Sequence, residues 1–145
     1  DNVSIANRKD ELSVLSTITD SSITVSYGTE YIVNDGDGGA IVLPNAAVGK
    51  RITIILGTII GSNTLTITAL AGDLLKGYAI MEATDAANNK TLFQPDGTND
   101  LIITLDGSTT GGLVGDKIEL TGISSTEWRV RATLSHTGSA ATPFS

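Results

Sequence analysis

The residues able to carry covalent or acid–base chemistry are few, and their spacing does not bring them together. A serine nucleophile normally needs a histidine base. The only histidine among the 145 residues is His136, in the polar tail immediately past the last expected strand. A surface position without a triad is expected for it. The nearest string to a G-x-S-x-G elbow, GISST at Gly122 to Thr126, lacks the closing glycine and a strand-to-helix setting. A zinc site needs several Cys or His ligands, and this cysteine-free chain offers one.

Calcium prefers oxygen ligands at alternate positions, which Asn34-Asp35-Gly36-Asp37-Gly38-Gly39 could supply. Counted from Asp35, the place of the bidentate glutamate of an EF-hand falls on Ala46, and no helix signal flanks the string. It reads as a plain turn, with glycine supplying positive φ and Asp or Asn bonding its own backbone. As a dinucleotide fingerprint it fails too, since G-D-G-G-A-I has no third glycine in place and opens no helix. Carboxylates paired across a groove would suit a glycosidase or lyase. However, Asp73, Asp96, Asp100, Asp106 and Asp116 fall in turns, where they serve as turn formers and solubilisers.

An aromatic content of 4% disfavours sugar-stacking platforms. Trp128 has apolar neighbours at spacing two and is expected to anchor the core. The basic residues Arg8-Lys9, Lys50-Arg51 and Arg129/Arg131 are scattered pairs, suited to ion pairing within the fold or with an acidic neighbouring subunit. No catalytic, cofactor-binding or metal-ligating residue is assigned, no cofactor is expected, and the chain reads as a non-enzyme.

Charge narrows the partners. The 9 Lys+Arg against 16 Asp+Glu give a formal net charge of −7. A phosphate-neutralising surface needs Lys and Arg gathered on one face, so no nucleic-acid partner is expected. The longest apolar run, Ile52 to Ile60, is about half the roughly 20 residues of a membrane span, and no signal peptide opens the chain. A soluble intracellular product without a membrane partner is expected, and the absence of cysteine is compatible with a reducing cytosol. Beginning at Asp1 without an initiator Met, the chain is expected to be a trimmed or partial form. Its length predicts one domain, able to bury a core without staples. The charged fraction of 17% lies below the roughly 25% of ordinary soluble domains, and 40% of residues are hydrophobic, so the chain folds.

The elements that must position these residues are strands. Twenty threonines and sixteen isoleucines accompany 16 glycines, and no long stretch has helical spacing. Alternation predicts strands around Ile23–Tyr27, Tyr31–Val33, Ala40–Leu43, Lys50–Ile60, Thr64–Ala69, Leu101–Leu105, Lys117–Thr121 and Glu127–Leu134. The two apolar faces of Lys50–Ile60 suggest a central strand. Asp73–Asn89 fits neither period and reads as mostly loop with one short strand. Only Asn7–Ser16 could be helical, and it is too short and too rich in Ser, Thr and Val, so it is treated as part of an arm. The expected architecture is all-β: a single antiparallel β-sandwich, jelly-roll-like, over 23–134, with an N-terminal arm over 1–22 and a C-terminal tail over 135–145.

Two strings carry a resemblance. AIVLPNAAVGKRITIIL at Ala40–Leu56 followed by NTLTITALAGDLLKG at Asn63–Gly77 resembles an arrangement of bacteriophage virion proteins, "LP-x-A-x-x-G-K" then "L-T-I" and "G-D". The closing GDKIELTGISSTEWRVRATLSHTGSAATPF at Gly115–Phe144 is similar to their ending: "G-D-x-I-x-L", a turn, "W-x-V", a small-residue linker and a final aromatic. The likeness covers about two thirds of the chain, and the segment Tyr78–Asn99 is longer than the pattern. These relatives are small capsid decoration (cement) proteins and domains of tail fibres or baseplates. The resemblance implies a structural virion protein, made in the host cytoplasm, that binds the major capsid protein on the outer surface of the head. A homo-oligomer, a trimer, is expected, its termini ordering against the shell. The alternative is a tail-fibre or baseplate module binding host surface glycan, for which Tyr78 and the Asn34–Gly39 loop are the candidates. The resemblance carries over no catalytic residue.

Overall fold

The computed structural model describes residues 14–19, 22–85 and 89–145, and they form eleven strands and no helix. In chain order these are β1 (Val14–Ile18), β2 (Ser22–Thr24), β3 (Thr29–Val33), β4 (Gly39–Val42), β5 (Arg51–Leu56) and β6 (Leu65–Thr68). There follow β7 (Leu74–Ala83), β8 (Lys90–Phe93), β9 (Ile102–Leu105), β10 (Lys117–Gly122) and β11 (Glu127–His136). The chain is all-β, as its composition predicts. Residues 1–13 of the expected arm lie outside the described residues, while Val14–Ile18 pairs in parallel with β3.

The strands make a 7-stranded sheet in the order β1-β3-β5-β10-β11-β7-β8 and a 4-stranded sheet in the order β2-β4-β6-β9. From β1 to β6 the chain feeds the two sheets alternately, so β1, β3 and β5 are parallel neighbours, as are β2, β4 and β6. β7 is also parallel to β11, whereas β5–β10, β10–β11, β7–β8 and β6–β9 are antiparallel. Both sheets are mixed, and the antiparallel expectation is corrected accordingly. Alternation of apolar residues reports which side of a strand is buried; it carries no information about the direction of the neighbour.

One hydrophobic core joins the inner faces of both sheets. Ile23, Ile41, Ile67 and Ile103 lie in register across the small sheet, and Tyr31, Ile54, Ile118, Ala132 and Ala79 across the large one. Fully burying each large aliphatic stabilises the fold by about 1.5–3 kcal/mol. Trp128 is fully buried, as expected, with Tyr27 at 6.3 Å between ring centroids. β5 sits between β3 and β10, as a central strand should.

Asp73–Asn89, expected to be mostly loop with one short strand, holds β7, one of the two longest strands, and β8 begins at the next residue. Its inward positions are Leu75, Gly77, Ala79 and Met81, and the two small residues in the middle hide the alternation. Gly77 has no room for a side chain because β11 runs close alongside: a Cβ there would fall on the Val130 carbonyl, and its φ is +103°. The C-terminal tail is another departure. β11 continues to His136, and the last residues fold back onto the free side of β9, where Ser145 O accepts the Leu101 and Ile102 N–H and Pro143 O that of Thr104. Phe144 is thereby buried in the core.

Gly77 and Gly28 separate two glycine effects. Gly77→Ala meets both a backbone clash and positive φ, and we expect a loss of about 3 kcal/mol or more. Gly28→Ala, at φ +72° with nothing within 4 Å of the new Cβ, should lose about 1–2 kcal/mol. Urea unfolding of both variants checks the difference.

Candidate functional site

His136 is not the exposed tail residue expected. It ends β11 at 5% exposure, with Nδ1 3.1 Å from the Gly138 carbonyl oxygen, because the strand runs on past Leu134. Asn34–Gly39 is a tied turn. The Asp35 carboxylate accepts the Asp37 N–H at 2.9 Å, and the Asp37 carboxylate accepts the Ser62 hydroxyl at 3.0 Å. No group of three or more His, Cys, Asp or Glu suited to a metal occurs among the described residues.

The turn carboxylates act on loop backbone. Asp116, 2% exposed, accepts the N–H of Gly112 and Leu113 on one oxygen and that of Ser135 on the other, at 2.8, 3.1 and 2.9 Å. Burial pushes its carboxyl above the ordinary range against the pull of these donors. Buried Asp73 takes the Ala46 N–H at 2.7 Å. At Asp106 burial acts upward, but the Thr109 hydroxyl and the Thr110 and Ser108 N–H groups outweigh it and hold the group down at about 2. Asp96 is held below the usual carboxylate range by the N–H groups of Asn99, Thr98 and Asp100.

What these elements leave exposed is a cationic surface. The register of β5, β10, β11 and β7 places Arg51, Thr121, Arg129 and Lys76 in one row across four adjacent strands. The next row along the strands is Thr53, Glu119, Arg131 and Tyr78. All these positions alternate with buried ones, so their side chains stand on the outer face of the large sheet. Arg51, Arg129 and Arg131, together with Glu119, Thr53 and Thr121, line a shallow polar depression of about 360 Å³.

The pairing of charges there is uneven. Glu119 lies opposite Arg131 but bonds Lys117 at 3.0 Å, and Lys76 reaches Glu127 at 3.5 Å and the Gly97 carbonyl at 2.7 Å. Arg129 lies over the Tyr78 ring, 5.8 Å from its centroid. Arg51, Arg129 and Arg131 make no ion pair with a described residue. Like charges facing each other across strands, as Arg129 and Lys76 do, cost stability, and nothing in core packing asks for them. Guanidiniums on one face without an ion pair to a described residue can bind carboxylates or other oxyanions, each bidentately.

The basic pairs that look scattered in the chain are thus gathered by strand pairing. Lys50-Arg51 and Arg129/Arg131 lie far apart in sequence, and β10 joins them. The i, i+2 spacing of Arg129 and Arg131 was the available signal, since it puts both on one face. The neighbour from β5 was not legible. Arg8-Lys9 lies outside the described residues. No protein-family model matches the chain, and no curated protein sequence is significantly similar to it.

Two carboxylates test the loop clamps. Asp116→Asn loses at least one buried acceptor, and we expect about 1–3 kcal/mol of destabilisation by urea unfolding. Asp106 has a folded pKa below the unfolded 3.8, so its bonds stabilise above that pH and the gain is lost as pH falls toward about 2. Asp106→Asn should flatten the decline of the urea midpoint across that window. Asp116 runs the other way: with its folded pKa raised, ionisation costs stability, and acidification through that pKa relieves the cost.

Proposed function

We propose that this chain is a structural docking module, a capsid decoration protein that binds the outer surface of a phage head and stabilises the lattice of its major capsid protein. The observation that carries docking is the set of three arginines on one face that pair with no carboxylate among the described residues, in a chain whose net charge is −7. The virion strings at Ala40–Leu56, Asn63–Gly77 and Gly115–Phe144 support the choice of partner. Holding shell subunits together requires area, shape fit and charge complementarity, and no bond-making step. The fold would be the β-sandwich variant that such a role needs, with a rigid sheet face as its contact surface.

A trimer fits the same reading. Val48 at 74% and Ile123 at 45% exposure stand in the loops next to the start of β5 and the end of β10, and Ile59 at 48% and Val114 at 65% at the other end of those strands. Exposed apolar pairs of this kind suit contacts between copies.

One observation favours a second reading, a tail-fibre or baseplate module for host surface glycan. Tyr78 stands on the same face as Arg129 and Arg131, and an aromatic ring beside cations suits an anionic sugar. A glycan array separates the two readings.

The deciding experiment adds purified protein to heads that lack it. Binding should saturate, raise the temperature at which heads release DNA, and weaken with salt. Arg129→Glu with Arg131→Glu should cut affinity at least about tenfold while the protein still unfolds cooperatively and no earlier on heating. No binding to heads, or labelling found only at the tail tip, would overturn the proposal.

A further inference from the structure

The arginine face also constrains what it can hold. Along β11, Arg129 and Arg131 are two residues apart, about 6.7 Å in an extended strand, which is the spacing of alternate side chains in any extended polypeptide. One row further along lie Ile55 on β5, Lys117 on β10, Thr133 on β11 and Ile80 on β7, with Leu92 beyond on β8 at 58% exposure. At successive steps of one strand repeat, β11 therefore presents two guanidiniums without an ion pair to a described residue and then Thr133, flanked by Lys117 on β10 and by apolar Ile80 on β7.

We propose that this face receives an extended acidic segment of a protein partner, with carboxylates at positions i and i+2 and an apolar side chain at i+4, laid along β11. The inference rests on the docking reading and names the chemistry of the partner. Each guanidinium takes one carboxylate in a forked pair. Arg51 stands two strands from Arg129, about 9.5 Å across the sheet, and meets a third anionic group on the flank of the segment. The cation–π contact with Tyr78 holds Arg129 in place before binding, which lowers the ordering cost. Glu119, which lines the same depression, pairs with Lys117 at 3.0 Å and makes no ion pair with Arg131.

The probe is a labelled peptide of the pattern Glu-Thr-Glu-Thr-Ile-Thr, compared by fluorescence anisotropy with Glu-Glu-Thr-Thr-Thr-Ile, which has the same composition. Dextran sulfate and a duplex DNA of about 20 base pairs serve as competitors. The alternating peptide should bind at least about tenfold more tightly than its scrambled partner in low salt. Arg129→Gln with Arg131→Gln should abolish that difference, whereas Lys90→Gln, on the edge strand β8, should not. Circular dichroism and thermal unfolding establish that the variants remain folded. Equal binding of the two peptides would overturn the register argument, and capture of dextran sulfate or DNA with neither peptide bound would overturn the protein partner. If peptides fail while heads still bind through Arg129 and Arg131, this inference falls and the docking proposal stands. If the alternating peptide binds and heads do not, the reverse holds.

Discussion

The structure depends on covering the inner face of a seven-stranded sheet with a sheet of four strands. Trp128, Val130, Ala132 and Leu134 of β11 and Leu75, Ala79 and Met81 of β7 are all within 1% of full burial, although the smaller sheet ends at β9. Loops and the C-terminal tail complete the cover: Gly111 sits against Leu134, Phe144 joins the core, and Phe93, Leu101 and Ala140 pack on its margin. Loops placed over a core carry backbone N–H groups away from water, and each needs an acceptor.

That requirement explains much of the acidity. Asp73, Asp106 and Asp116 each accept loop donors, and a buried donor left unpaired costs about 1–3 kcal/mol, as much as a core side chain contributes. Carboxylates committed to this work are tied to loop backbone: Asp106 and Asp116 both brace the β9–β10 connection, and Asp73 takes the Ala46 N–H. Three arginines have no ion pair with a described residue. Arg51, Arg129 and Arg131 stand on the outer face of strands whose inner faces are packed, so their repulsion is tolerated because the core fixes the strands beneath them. A rigid charged surface of this kind suits recognition of an acidic partner, since little ordering is left to do on contact.

Much of the fold was legible. Strands from Tyr31–Val33 to Glu127–Leu134 follow alternation of apolar and polar residues, and Trp128 is where spacing two puts it. β7 was not, because Gly77 and Ala79 occupy inward positions where large residues are expected, and the size of Gly77 answers to the approach of Val130 from a strand about fifty residues later in the chain. His136 looked exposed because its neighbours in sequence are polar, and it is buried because β11 runs on past Leu134. The arginine face was half legible, since Arg129 and Arg131 share a side by their spacing.

What the sequence by itself determined is therefore local: an all-β chain, the inward side of most strands, the turn chemistry of its Asp and Gly residues, and an excess of negative charge. The tertiary structure alone decided which strands are neighbours, that many run parallel, and that Arg51 comes to lie two strands from Arg129. The reason is physical. Alternation is set by a residue's own backbone and its immediate neighbours, whereas a sheet ladder joins segments far apart in the chain through main-chain groups that are the same in every residue.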